Sequence, residues 1–395
     1  MTGTDLIALK PTGSPIAAAE RESRLAEPGF GRFFTDNMVT IAWDAGQGWH
    51  DAQLVPYAPL SMDPAIMVLH YGQAIFEGLK AYRQPDGSVA TFRPEQNARR
   101  FQRSAQRLAM PELPEELFLA AVEALVLQDE DWVPSGAEKS LYLRPLMFST
   151  EVGLGVRPSS SYLFVLIASP AGAYFPRGLQ PVTVWLCEDY SRAAPGGTGE
   201  AKCAGNYAAS LIAQAQAADK GCDQVVWLDS SEHRWVEEMG GMNLYFVRGS
   251  GDTATVVTPT LTGSLLAGVT RDSLLTLAGD FGYAASTARI CVDDWREGNN
   301  NGDITEVFAC GTAAVITPVG AVKSTDHEWT IGDGGTGPVT ARLRQALLDI
   351  QTGVSADQHG WVRPTPGTTA STATAANAAN AASEANAASE ANAAG

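Results

Sequence analysis

Gly196-Gly197-Thr198-Gly199-Glu200-Ala201-Lys202-Cys203-Ala204-Gly205-Asn206-Tyr207 sets one lysine in a glycine-rich loop directly before an apolar helical repeat, Leu211, Ile212, Ala215 and Ala218. Asn206 reads as the N-cap of that helix and Gly221 as its C-terminal stop. A loop of this kind lets the backbone approach a ligand closely. A lysine held there in a desolvated pocket becomes a nucleophile for Schiff-base chemistry. A flexible surface lysine is the other reading the stretch allows. A nucleotide loop fits poorly, because Lys202 is not followed by Ser or Thr and the glycines lack the Walker spacing.

Outward from this loop, composition narrows the field. A chain of 395 residues with 45% hydrophobic and 8% aromatic content is long enough for two full-sized cores. The formal net charge of −17 argues against nucleic-acid and anionic-membrane partners, while a few local arginines can still bind anionic small molecules. The five cysteines, 187, 203, 222, 291 and 310, form no Cys-x-x-Cys, as expected of free thiols in a reducing cytoplasm. Residues 1–10 lack the basic-then-apolar pattern of a signal peptide, and the longest apolar run, 162–168, is too short to span a membrane. No metal site is expected.

Residues 1–27 are polar and read as a loosely held arm. Short strands are predicted at 38–43 and 53–57 and through the stretch 68–82, with a hairpin at Asp86-Gly87. Residues 94–110 form a helix that opens on Pro94, with Ala98, Phe101, Ala105 and Leu108 as its buried stripe. Of Arg99, Arg100, Arg103 and Arg107, three are expected on a solvated face and one at the inner edge, within reach of a phosphate. A second helix follows Pro114. Strands resume at 141–144 and 162–168. The Pro-, Gly- and Ala-rich residues 171–181 read as a connector between a smaller domain, 1–170, and a larger one, 182–362. The larger domain opens on a strand at 182–186, with others at 224–228, 235–238 and 243–247. Its second informative stretch is Gly268-Val269-Thr270, where Thr270 can cap a helix whose free N–H groups form an anion site. Residues 363–395 carry the repeat Asn-Ala-Ala-Ser-Glu-Ala and read as a disordered low-complexity tail, removable after Arg363 without loss of stability.

Together the segments resemble branched-chain aminotransferases of the fold-type IV pyridoxal-phosphate class, over about residues 30–362. The matching motifs are His70-Tyr71-Gly72, Phe76-Glu77-Gly78-Leu79-Lys80-Ala81, Phe92-Arg93-Pro94 with Arg100, and Leu141-Tyr142-Leu143-Arg144-Pro145. They continue with Gly155-Val156, Lys202 with Gly205-Asn206-Tyr207, and Glu238 with Gly240-Gly241-Met242-Asn243. The last are Gly268-Val269-Thr270-Arg271-Asp272 and Gly311-Thr312-Ala313.

The resemblance implies an α/β fold of the α+β type, with two domains and pyridoxal 5′-phosphate in the cleft between them. Lys202 would carry the cofactor as a Schiff base and shuttle the substrate's Cα proton. Glu238 would hold the pyridine nitrogen protonated, with Glu237 as an exposed neighbour. Tyr207 would bond the cofactor's phenolic oxygen. Arg100, the stretch Gly268, Val269 and Thr270, and Thr312 would hold its phosphate. Phe30, Tyr71, Phe76, Tyr142 and Val156 would line the side-chain pocket, with the Ala313 and Ala314 N–H groups on the substrate carboxylate. Arg144 is either a structural residue or the cation that recognises the γ-carboxylate of glutamate. Relatives often carry Thr at the place of Gly241, so carboxylate binding here leans on backbone donors.

The activity so implied is exchange of the amino group of leucine, isoleucine or valine with 2-oxoglutarate, in a cytoplasmic homodimer whose partners are small amino and 2-oxo acids. A D-amino-acid aminotransferase and an aminodeoxychorismate lyase are rivals on the same fold. A non-catalytic anion-binding protein is the rival of another class.

Overall fold

The computed structural model describes residues 6–136, 138–172 and 179–368. Strands β1 (Ala8–Leu9), β2 (Asn37–Asp44), β3 (Gly48–Pro56), β4 (Ala74–Phe76), β5 (Leu79–Arg83), β6 (Val89–Phe92), β7 (Ser140–Ser149) and β8 (Ser161–Ala171) belong to one sheet. Strands β9 (Val182–Cys187), β10 (Gln224–Leu228), β11 (Val236–Met239), β12 (Met242–Arg248), β13 (Thr255–Pro259), β14 (Ala284–Ala288), β15 (Ile304–Gly311), β16 (Val315–Lys323) and β17 (Glu328–Thr330) form a second. The last strand, β18 (Val362–Pro364), returns to the first sheet beside β6.

The helices are α1 (Ala18–Ala26), α2 (Met67–Tyr71), α3 (Pro94–Arg107), α4 (Glu115–Gln128), α5 (Ala204–Ala208), α6 (Leu211–Asp219), α7 (Val269–Asp280), α8 (Val292–Asn301) and α9 (Pro338–Gln351). The architecture is α+β. Among the described residues no helix is long and apolar enough to cross a membrane.

Period-2 alternation explains the layers. In β12, Leu244 and Phe246 enter one core and Tyr245 and Val247 another, so both faces of the second sheet are covered. Strand β15 repeats the split, with Val307 and Ala309 on one side and Phe308 and Cys310 on the other. In the first sheet, β8 turns Phe164, Leu166 and Ala168 into the core shared with α3 and α4. Phe101 of α3 packs there against Phe118 and Phe164, with ring centroids 5.8 Å away in each case. Because β11 pairs with both β10 and β12, the strands β11-β10-β9-β16-β15-β12 close on themselves.

Four expectations change. Residues 6–27 are docked: Ile7 is buried in the core, β1 pairs with β3, and the Thr12 and Ile16 N–H groups donate to Asn37 and Asp36. One apolar side chain plus backbone pairing suffices to hold a segment whose composition is polar. Met67–Tyr71 is a short helix, closed by Gly72 in the left-handed region at φ 64°. Asn206 is no N-cap. It lies inside α5, buried, donating to the carbonyls of Thr198 and Ala201 and so pinning the loop that precedes Lys202. The tail does not begin at 363, since Arg363 and Pro364 pair with Thr91 and Ala90 of β6. Most of the expected connector, 173–178, and the tail from 369 onward lie outside the described residues.

Candidate active site

Lys202 is fixed by the first half of the chain. Its N–H donates to Ser104 Oγ of α3 at 2.9 Å, and its carbonyl accepts from Phe76 N–H at the end of β4 at 3.0 Å. Arg107 of α3, expected on a solvated face, donates to the carbonyls of Gly196 and Gly197 and stitches down the same loop. The Lys202 ammonium donates to Tyr207 Oη at 3.1 Å and lies 5.0 Å from the centroid of the Phe76 ring. Lys202 stands just before α5, which carries Tyr207.

Lys202 faces a cavity of about 300 Å3 between the sheets. Phe30, Phe76, Tyr142, Arg144, Arg100, Tyr207, Gly241, Gly268, Val269, Thr270, Thr312, Ala313 and Ala314 all line it. A wider open groove of about 1090 Å3 lies between α1, Glu130 and α9. Its arginine, Arg83, is already paired with Glu130 at 2.8 Å, so the smaller cavity is the chemically equipped one.

The start of α7 lines the cavity with the features that suit an anion. Helix α7 starts at Val269 with Gly268 before it and no side-chain cap, leaving its first N–H groups without intrahelical partners. Thr270 does not cap, since it already lies inside the first turn. A Cβ on Gly268 would stand 2.1 Å from Asn243 Oδ1, so only glycine fits. Arg100 is the inner arginine of α3, buried, and chelates Glu77 through Nε at 2.7 Å and Nη2 at 2.8 Å. Its Nη1 donates to Ala267 O at 3.1 Å, which leaves two of five N–H groups for a ligand. Burial alone would raise Glu77, but the Arg100 pair overrides it and holds the carboxyl below its usual range.

Glu238 is buried in β11. Its Oε1 accepts from Leu266 N–H at 2.8 Å and Asn243 Nδ2 at 3.3 Å, and Leu266 and Asn243 in turn line the cavity. Arg192 Nε lies 2.9 Å from Oε2 but is not aligned for a hydrogen bond, so that oxygen keeps acceptor capacity. Burial pushes the Glu238 carboxyl up, and the Arg192 charge opposes it. Glu237 is also buried, contrary to expectation, accepting from the Ser264 hydroxyl. Both neighbours are covered because β11 has protein on its two faces.

At the opposite wall, Arg144 lies over the Phe76 and Tyr142 rings at 4.8 and 5.3 Å and donates to Tyr142 Oη at 3.2 Å. Among the described residues no carboxylate pairs with it, and its buried Nε has no partner. Tyr71 and Val156 are not brought to this cavity. Tyr71 is 41% exposed and donates to the Leu154 carbonyl, and Val156 is 84% exposed. A motif match gives positions along the chain and does not say where in the fold their side chains end up. Ser104 and Arg192, and the part Asn243 plays, were not picked from the sequence, for no spacing ties them to Lys202 or Glu238.

The sequence pattern of amino-transferase class IV matches residues 74–322. A protein of Streptomyces coelicolor named as a probable branched-chain-amino-acid aminotransferase is 65% identical over 360 residues, covering 91% of this chain and 98% of its own. The branched-chain-amino-acid aminotransferase of Mycolicibacterium smegmatis is 61% identical over 350 residues, 88% of this chain and 95% of its own. The crystal structure of the Escherichia coli branched-chain amino acid aminotransferase superposes with a TM-score of 0.68 at 29% identity, over 82% of this chain and 99% of that one. Lys202 and the uncapped start of α7 share one cavity, with Glu238 bonded just behind its wall to Leu266 and Asn243, and the family match and these identities show that this chain belongs to the class IV aminotransferases.

Proposed function

We propose that the protein is a pyridoxal-phosphate-dependent branched-chain-amino-acid aminotransferase, exchanging the amino group of leucine, isoleucine or valine with 2-oxoglutarate. The observation that carries this is the convergence on one cavity of Lys202 Nζ, an uncapped helix start and an arginine with no acid partner among the described residues. Relatives at 61% and 65% identity carry the branched-chain name, which disfavours the D-amino-acid, lyase and binding-protein readings.

The residues fit the cofactor. The α7 N–H groups, the two spare N–H groups of Arg100 and the Thr312 hydroxyl suit a phosphate dianion. The Glu238 Oε2, held near a cation yet not hydrogen-bonded, suits a pyridinium N–H, and Tyr207 Oη suits the phenolic oxygen. When bound, pyridoxal phosphate supplies the electron sink that takes up the pair left by the substrate's Cα–H bond. Lys202 Nζ would move that proton between the substrate's Cα and the cofactor's C4′, its backbone clamped at both its N–H and its C=O. Glu238 keeps the ring nitrogen protonated. Phe30, Phe76 and Tyr142 exclude water from the aliphatic side chain.

A homodimer fits the two stranded pocket residues: Tyr71 and Val156, exposed and outside their own cavity, are what a second copy would bring to this one. The five cysteines, all free and buried, suit a reducing cytoplasm.

An amino-donor panel assayed with 2-oxoglutarate tests the reading. L-leucine, L-isoleucine and L-valine should be the preferred donors, and borohydride should trap the cofactor on Lys202 by peptide mapping. Preference for D-amino acids, or trapping at another lysine, would overturn it.

A further inference from the structure

Lys80, on β5 of the first sheet, is 6% exposed. Its ammonium donates at 2.9 Å to the carbonyl of Ala313, in the turn that joins β15 to β16 of the second sheet. The space beside it, about 10 Å3 between Tyr82, Glu138, Arg344 and this turn, is at the lower limit for one water. Burying an ammonium is unfavourable, and burial does push Lys80 down to about 8, with Glu138 opposing the shift and Arg344 adding to it. A lysine in such a place is a poor stabiliser of the fold.

The turn it holds is unusual in two ways. Val315, which closes it opposite Gly311, has φ 60°, a strained conformation for a β-branched residue, and such strain collects where surroundings over-determine a functional loop. Ala314 is 4% exposed, and among the described residues its N–H makes no hydrogen bond. An N–H that meets no acceptor in the fold is free to meet one in a ligand. In a trans peptide, the carbonyl of Ala313 and the N–H of Ala314 point in opposite directions from one rigid plane. Fixing the first therefore aims the second, and Ala314 lines the cavity.

We propose that Lys80 is a positioning residue for substrate recognition: reaching across from the first sheet, it holds the Ala313 carbonyl and so presents the Ala314 N–H to the substrate's α-carboxylate. This rests on the transaminase reading above. It also separates two carboxylate duties. Lys80 serves the α-carboxylate, common to leucine, glutamate and their 2-oxo acids, whereas Arg144 lies over the Phe76 and Tyr142 rings.

The test uses the holoenzyme and Lys80→Met, which keeps length and removes charge and donor. Dissociation constants are measured for 4-methylvaleric acid, which offers the leucine skeleton and a carboxylate, and for its neutral amide. Lys80→Met should weaken the acid by about tenfold and the amide by about twofold or less, and raise KM for L-leucine and 2-oxoglutarate alike. Its Tm and cofactor occupancy should match the wild type. Unchanged affinity for the acid, or equal losses for acid and amide, would overturn the assignment. If Lys80→Met does not fold, Lys80→Gln, which retains a neutral donor, should show a smaller loss with the same preference for the acid. Failure of the wild type to transaminate L-leucine would instead overturn the transaminase reading, independently of Lys80.

Discussion

A transaminase cavity must take the aliphatic end of leucine in one half-reaction and the γ-carboxylate of glutamate in the other. An apolar wall alone would leave that carboxylate buried and unpaired, at a cost of several kcal/mol. On the proposed reading Arg144 would resolve the conflict, its guanidinium over the Phe76 and Tyr142 rings and its Nε without a partner among the described residues. Arg144→Met should therefore raise KM for glutamate and 2-oxoglutarate about tenfold or more while leaving leucine within about twofold. Tyr142→Phe, which removes the acceptor that orients Arg144, should move the same parameters less. Equal losses for both substrates would mean that the pair serves the fold. At this scale the sequence was legible where the chemistry is local. Lys202 with Tyr207, and Glu238 beside its glycines, stand within a few positions of their motifs. The roles of Arg192, Ser104 and Lys80 were not legible, because each acts on a partner distant in the chain and only the folded sheets bring them together.

Among the elements, α3 acts as the strut between the two sheets. Its stripe of Ala98, Phe101 and Ala105 was legible from periodicity, and the same periodicity turns Arg100 inward while Ser104 and Arg107 meet the Lys202 loop. The start of α7 is the other critical element, and Gly268 is its narrowest point. Asn243, which a Cβ there would strike, is itself held by Glu238 and the Leu266 carbonyl and has little room to yield. Gly268→Ala should then displace the helix start, at a cost of about 1–3 kcal/mol, and weaken pyridoxal phosphate binding by at least about tenfold in a fluorescence titration. An unchanged dissociation constant would show that the helix start does not hold the phosphate. What the local pattern could not reveal was the state of α5. Its side chains at Asn206 and Tyr207 look like caps or core residues until the loop before Lys202 folds back over them.

For the whole molecule, the decisive fact is that the chain returns to the sheet it left. Alternating strands and the composition break near 171–181 pointed to two domains, yet neither explains why β18 leaves the second half and adds to the edge of the first sheet. The reasons are chemical. Trp361 stacks edge-on to Phe92 at 5.7 Å and lies under Arg93 at 5.1 Å. Arg363 bridges Glu123 at 2.7 Å and Glu95 at 2.8 Å, joining α3 to α4. Beyond the strand, Thr365 N–H donates to Val89 O at 2.8 Å, and Val89 N–H donates to Thr368 Oγ1 at 3.1 Å. These contacts cover an edge of β6 that would otherwise present unpaired groups. They also tie the two halves together on the side of the molecule that carries α3. None is visible in a composition of Pro, Thr and Ala, which is why residues from 363 onward read as tail. Truncation after Thr368 should accordingly leave Tm and turnover unchanged, since it keeps every one of these bonds. Truncation after Gly360 removes the stacked tryptophan, the paired strand and both ion pairs, and should lower Tm by at least about 3 °C. It should also raise KM, because α3 positions both Arg100 and the Lys202 backbone. If the two truncated proteins melt together, β18 is an ornament of the edge and the halves are held by the cavity-lining contacts alone.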